Sequence, residues 1–183
     1  MNARGSRALR GTSRARALRI GPLFLLSVAV GAGAQEPAAG APASAEDVVR
    51  SLYDLVSSGP SAPPDWEAVR ELFLPEAVIV LRTTREALTV FSVDGFLQDF
   101  RAFYESPDVT ENGFRETVLD LRATKVGDIA QAWVLYEARV PGGRGNRGLD
   151  AFLLVRRGDR WQVAAVTNEV PMPGRPVPED LFD

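Results

Sequence analysis

Neither cysteine nor histidine occurs in the 183 residues. The first absence excludes disulfides, thiolate nucleophiles and a lipid-anchored N-terminal cysteine. The second removes the commonest general base, and together they exclude Cys/His metal centres and Ser-His or Cys-His nucleophile systems, so no metal and no cofactor is expected. Lysine is nearly missing too: Lys125 stands against twenty arginines, a bias that suggests a GC-rich genome and carries no mechanism. No apolar run spans a bilayer, because residues 20–34 are interrupted by Gly21, Pro22, Gly31 and Gly33 and fall short of the roughly 20 apolar residues required. No internal repeat or heptad is visible.

What is present begins with a basic leader. Arg4, Arg7, Arg10, Arg14, Arg16 and Arg19 come without an acid among them, an apolar run follows from Leu23 to Val30, and Ala32-Gly33-Ala34 supplies the small residues that a signal peptidase reads. Residues 1–34 are therefore expected to be a signal peptide cleaved near Ala34, and the chain to be exported to the periplasm or beyond. Six of the 21 basic residues lie in that leader and none of the 24 acidic ones, so the remainder carries 15 against 24, or −9. So acidic a chain has no reason to bind nucleic acid or, once the leader is gone, a membrane surface. Residues 35–44, QEPAAGAPAS, read as an extended Ala/Pro-rich linker.

The folded domain is expected over 45–183. Ser44 suits an N-cap, and Val48, Val49, Leu52, Leu55 and Val56 recur at helical spacing until Gly59-Pro60. Asp65 caps a second short helix carrying Val69, Leu72 and Phe73. Strands are expected at 77–81 and 88–92, and Ser92 caps a third helix with Phe96, Phe100, Phe103 and Tyr104 on one stripe. Four β-rich segments follow, 114–123, 128–140, 148–157 and 160–170, joined by short Gly- or Pro-containing turns, which describes an antiparallel meander. The Arg-Gly-Asp tripeptide at 157–159 falls in the last of these turns, where glycine supplies the positive φ that a tight hairpin needs, so it reads as a turn and not as an adhesion motif. PGGRGNRG (141–148) lies between strands and not before a helix, which argues against a phosphate cradle; its arginines could still steer an anion. Helices first and long antiparallel strands after give an α+β class, three N-terminal helices packed on one face of a curved antiparallel sheet.

The helix hairpin followed by LFLPEAVIV, the Phe-rich third helix, VGDIAQAWVLYEARVPGG, RGLDAFLLVRRGDRWQVAAV and the tail PGRPVPEDL together resemble the nuclear transport factor 2-like (NTF2-like) superfamily, and its SnoaL-like bacterial members in particular, over about residues 45–180. The resemblance implies a cone with an apolar pocket between helices and sheet, and a homodimer through the sheet's outer face. It does not imply one reaction, since such cones include isomerases, dehydratases, cyclases and proteins with none. Asp150 sits where the steroid isomerases carry an acidic oxyanion donor, which makes it the candidate catalytic residue; their proton-abstracting acid falls on Leu81 and their tyrosine on Leu52, one residue from Tyr53. Expected to share the pocket with Asp150 are Phe152 by strand alternation, Tyr136 by the family's register, Phe103, and Tyr53 or Thr167 as hydrogen-bond partners. The facing of Arg82, Glu116, Asp120 and Glu137 is open. Outward Ile129, Trp133 and Leu135 would leave an apolar patch for a partner subunit or for the Pro-rich tail. The function expected is a pocket for a small apolar or amphipathic molecule; the alternative is an isomerase-, dehydratase- or cyclase-type enzyme using Asp150 as acid or oxyanion donor.

Overall fold

A computed structural model describes residues 44–82 and 86–183, all within one compact unit; the signal-peptide expectation lies outside the described residues, as does the linker apart from Ser44. Helix α1 (Ala45–Leu55) starts where Ser44 Oγ accepts from Asp47 N–H and the Asp47 carboxylate accepts from Ser44 N–H, both at 3.1 Å. This reciprocal box satisfies two of the orphan donors of a helix start. The apolar stripe of α1 is wide, burying Val48, Val49, Leu52 and Tyr53 together, so neighbouring positions 52 and 53 both look at the sheet. Helix α2 (Trp66–Glu71) is capped by Asp65, which accepts from Glu67 and Ala68 N–H. Helix α3 (Val93–Tyr104) is capped by Ser92. A fourth helix, α4 (Pro107–Asn112), begins on a proline at its first turn and ends at Gly113, whose φ of 79° suits glycine alone. Pro107, which reads as a break in the sequence, instead starts this element. Among the described residues no helix is long and apolar enough to cross a membrane.

The strands are β1 (Phe73–Arg82), β2 (Leu88–Phe91), β3 (Arg115–Val126), β4 (Ile129–Arg139), β5 (Asn146–Arg157) and β6 (Arg160–Glu169). They form one sheet in the order β2-β1-β6-β5-β4-β3. The meander β3 to β6 is antiparallel throughout, closed by two-residue turns at Gly127-Asp128 and Gly158-Asp159, with φ at Gly158 of 66°. Asp159 therefore sits in a hairpin tip. The sheet is not wholly antiparallel, however: β1 pairs in parallel with β6. The path through α3 and α4 supplies the long crossover that parallel pairing requires. Pairing of β1 with β6 breaks between Phe73 and Val78, across Pro75, which has no N–H to give to a ladder.

Two bulges decide which side chains face inward. On β6, Leu153 pairs with Ala165 but Leu154 with Val163, so Ala164 is the extra residue. Trp161 and Val163 are buried before it and Val166 after it, and Thr167 is exposed. On β3, Val118 pairs with Tyr136 and Asp120 with Leu135, which leaves Leu119 over. Glu116 and Val118 face inward before this bulge, Leu121 and Ala123 after it, and Asp120 is turned out. Each bulge flips the two-residue period of its strand.

The concave face meets α1 and α3 in a core that includes fully buried Val48, Val49, Ile79, Leu97, Val134, Phe152, Leu154 and Val163. Burying each such side chain contributes about 1.5–3 kcal/mol. On the convex face Ile129 stays 55% exposed and Leu153 47%. The C-terminal segment lies beside Trp133, where Arg122 donates to the carbonyls of Asp180 and Leu181.

Candidate functional site

Between α1, α3 and the concave sheet face lies a cavity of about 220 Å³. One end is apolar, walled by Leu52, Val56, Phe73, Ile79, Leu81, Phe96, Phe100, Phe152 and Val166; the other holds Tyr53, Glu116, Tyr136, Asp150 and Asn168, with Arg82 and Val170 also on the wall. Strand pairing puts the polar set together. Asp150 on β5 lies opposite Val134 on β4 and Asn168 on β6, and Tyr136 lies opposite Gly148 and Val118. Directly opposed residues share a face, so Asp150 and Asn168 point the same way.

Gly148 is required by Tyr136. A Cβ at position 148 would stand 2.2 Å from the Tyr136 ring, so the ring lies flat over bare backbone and its hydroxyl reaches the cavity. Tyr53 crosses it at 5.3 Å between centroids and meets Phe152 edge-on at 6.3 Å.

The hydrogen bonds run in one direction. Arg82 N–H donates to Asn168 Oδ1 at 3.0 Å, which fixes the amide so that Asn168 Nδ2 donates to Tyr136 Oη at 3.0 Å and to Asp150 Oδ1 at 3.3 Å. Tyr53 Oη donates to Asp150 Oδ2 at 2.6 Å. Both Asp150 oxygens thus accept, and the Tyr136 hydroxyl, itself an acceptor here, keeps its own proton for something in the cavity. When ionised, Asp150 is thus an acceptor toward both neighbours; when protonated, it can also donate.

Glu116 is positioned by its backbone. Its N–H donates to Ser57 Oγ at 2.9 Å, and the neighbouring Ser58–Phe114 bridge ties the end of α1 to the start of β3. Its carboxyl lines the cavity and has no hydrogen-bond or ion-pair partner among the described residues. Both acids keep some accessible surface and yet lie deep among protein atoms, because the surface they expose is cavity wall.

Burial controls their ionisation. Desolvation pushes Asp150 up to about 7, against the opposing pull of the bonds from Tyr53 and Asn168. Desolvation, with added repulsion from Asp150, pushes Glu116 up to about 8. Tyr53 and Tyr136 are held far above the ordinary phenol value, first by burial and then by the acid beside them. The cation on the wall, Arg82, is turned to Glu169, with Nε 2.6 Å and Nη2 2.8 Å from its carboxylate, and Arg175 joins the same acid at 3.6 Å. Those bonds hold Glu169 below the usual carboxylate range.

Of the residues expected in the pocket, Asp150, Tyr136, Phe152 and Tyr53 line this cavity. Thr167 does not: the Ala164 bulge turns it to the outer face and brings in Asn168. Phe103 does not either; it is 37% exposed and packs on Phe114 and Tyr104 at the C-terminal end of α3. Leu52 and Leu81 occupy the wall where the isomerase resemblance puts a tyrosine and a base. Glu116, whose facing the sequence left open, is the second acid; Asp120 is exposed, and Glu137, opposite Thr117, stands near Arg139 at 3.8 Å. Asn168 is the functional group that sequence reasoning missed, although an amide inside the apolar run VAAVTNEV is a detectable signal. Among the described residues no group of three or more His, Cys, Asp or Glu side chains comes together as a metal site. A second, larger hollow of about 490 Å³ lies by α2 and α4, where Arg101 stacks on Trp66.

Neither a protein-family model nor a curated protein matches the chain. Solved structures do. An NTF2-like protein of unknown function from Pseudomonas putida is 13% identical over 75% of this chain and 93% of its own, with a TM-score of 0.57. A putative calcium/calmodulin-dependent protein kinase type II association domain from Thiobacillus denitrificans is 10% identical over 72% and 98%, with a TM-score of 0.56. An NTF2-like protein with a cystatin-like fold from Novosphingobium aromaticivorans is 17% identical over 68% and 77%, with a TM-score of 0.51. At these identities the likeness speaks for the fold: the chain is an NTF2-like cone with a curved, largely antiparallel sheet.

Proposed function

We propose that this chain is a binding protein for a small amphipathic molecule, its apolar body seated among Phe96, Phe100 and Phe152 and its polar end against Asp150, Glu116 and Tyr136. The observation that carries this reading is the division of one cavity into an apolar end and a polar end whose groups are incompletely satisfied by the protein. A pocket lined mainly by hydrophobic side chains with a few converging polar ones is the usual form of a small-molecule site. At about 220 Å³ the cavity is at the small end of ligand pockets, which suits a small molecule.

A thermal-shift screen of one-ring neutral, cationic and anionic compounds against the chain tests the reading, with Asp150→Asn as control. Compounds that raise the melting temperature of the parent, and raise it less in the variant, support the pocket. A screen with no shift in any class overturns it.

A second reading, an isomerase-, dehydratase- or cyclase-type enzyme, draws on the presence of two acids in one cavity. In such a reaction Asp150, raised to about 7 by burial, would serve as acid or oxyanion donor, with Glu116 as the second group. Solvent-deuterium incorporation into a bound ligand, lost in Asp150→Asn, separates this reading from simple binding.

Export after cleavage near Ala34, a closer likeness to SnoaL-like proteins and pairing of two copies through the convex face complete the proposal. N-terminal sequencing of the secreted or periplasmic form tests the first, and light scattering of Ile129→Glu against the parent tests the last.

A further inference from the structure

The Glu116 carboxyl is the least explained group in the fold. It lies deep among protein atoms, the surface it keeps is cavity wall, and no described residue bonds to it or pairs with it. A buried carboxyl without a partner is costly, and its persistence needs a compensating group. The protein does not bring one. Facing the two acids are Tyr53 from α1 and Tyr136 from β4; Arg82 from β1 is engaged with Glu169 of β6, and α3 presents only Phe96 and Phe100. A neutral donor would give Glu116 one hydrogen bond and leave the mutual repulsion of the acids in place. A cation removes both deficits, and the tilted faces of Tyr53 and Tyr136, with Phe152 beside them, carry the negative quadrupole that attracts one.

We propose that the cavity takes a small organic ammonium, its nitrogen held by Glu116 and Asp150 and its hydrocarbon body packed toward Phe96, Phe100 and Phe152. The assignment rests on the pocket reading above and narrows it to one class of ligand. It entails a proton exchange: because desolvation keeps Asp150 and Glu116 protonated to about pH 7 and 8, an arriving ammonium displaces protons from them. Affinity for the cation must then rise with pH as the acids ionise, while an alkylammonium keeps its own proton to about pH 10. A neutral isostere has no such gain.

Isothermal titration calorimetry of the chain with cyclohexylammonium, cyclohexanol and cyclohexanecarboxylate at pH 6 and pH 8.5 tests this. Cyclohexylammonium is expected to bind about tenfold or more tightly at pH 8.5 than at pH 6, and about tenfold or more tightly than cyclohexanol at pH 8.5. In Glu116→Gln both advantages shrink to less than about threefold while cyclohexanol binding persists, which also shows that the variant is folded. Cyclohexanol or the carboxylate binding as tightly as the ammonium, or ammonium affinity indifferent to pH in the parent, overturns the ammonium assignment and leaves the pocket standing. Failure of all three probes to bind removes both.

Discussion

At Asp150 one short and one long hydrogen bond compete with the loss of water, and desolvation wins: burial pushes the carboxyl up to about 7 in spite of donors at 2.6 and 3.3 Å. Removing the nearer donor makes the competition measurable. In Tyr53→Phe the Asp150 midpoint should move further up, followed by the side-chain carbon shift in NMR. Because the lost bond serves a charged acceptor above that midpoint and a neutral one below it, the variant should lose about 1.5–3 kcal/mol of stability above pH 8 and about 1 kcal/mol below pH 6. A loss independent of pH would mean that Tyr53 packs without bonding. The residue scale is also where sequence reading stops earliest. Tyr53 and Asp150 are recognisable as candidates, but the direction of the bonds depends on Arg82 N–H fixing the Asn168 amide, a contact across 86 residues that no local pattern announces.

Among the elements, β5 and β4 are matched to each other through Gly148 and Tyr136. Gly148→Ala puts a methyl group into the Tyr136 ring, and β5 cannot yield without breaking two ladders. The expected cost is about 1–3 kcal/mol, with the Tyr136 ring displaced and its bond from Asn168 lost; chemical denaturation and the Tyr136 ring resonances report the two effects. Denaturation unchanged within about 0.5 kcal/mol would contradict the contact.

Helix starts are legible because Ser44, Asp65 and Ser92 are local caps, and the four-strand meander is legible because its turns carry glycine or proline. The bulges at Leu119 and Ala164 are not legible, since each leaves an apolar alternation on both sides and only the partner strand reveals the extra residue. That one gap accounts for Thr167 standing where Asn168 belongs, and for the open facing of Glu116 and Asp120. Helix α4 was hidden by Pro107, which opens the helix and reads as a stop.

For the whole molecule, two acids raised by burial set an unusual pH response. The folded pKa values, about 7 for Asp150 and about 8 for Glu116, lie above the unfolded 3.8 and 4.5. Below about pH 4 both states hold these protons and the contribution to stability is complete. As pH rises from there the unfolded chain releases them first, so stability falls until about pH 8 and then levels. Glu169, lowered by Arg82, acts in the opposite sense and loses its contribution only on the acid side of its unfolded value. Between pH 5 and 7 the two cavity acids should make stability fall as pH rises, and Glu116→Gln should flatten that fall. Urea melts across the range test it, and a slope unaltered by the substitution would place Glu116 in water.

The most direct test is a carbon-detected NMR titration of the Asp150 and Glu116 carboxyls in the ligand-free chain, with Glu116→Gln and Asp150→Asn for assignment. The account predicts two coupled steps near pH 7 and 8, and in Asp150→Asn an earlier step for Glu116, which loses the repulsion of its neighbour. Midpoints near pH 4 for both carboxyls would contradict it, because acids that ionise as they do in water are not held in a sheltered cavity.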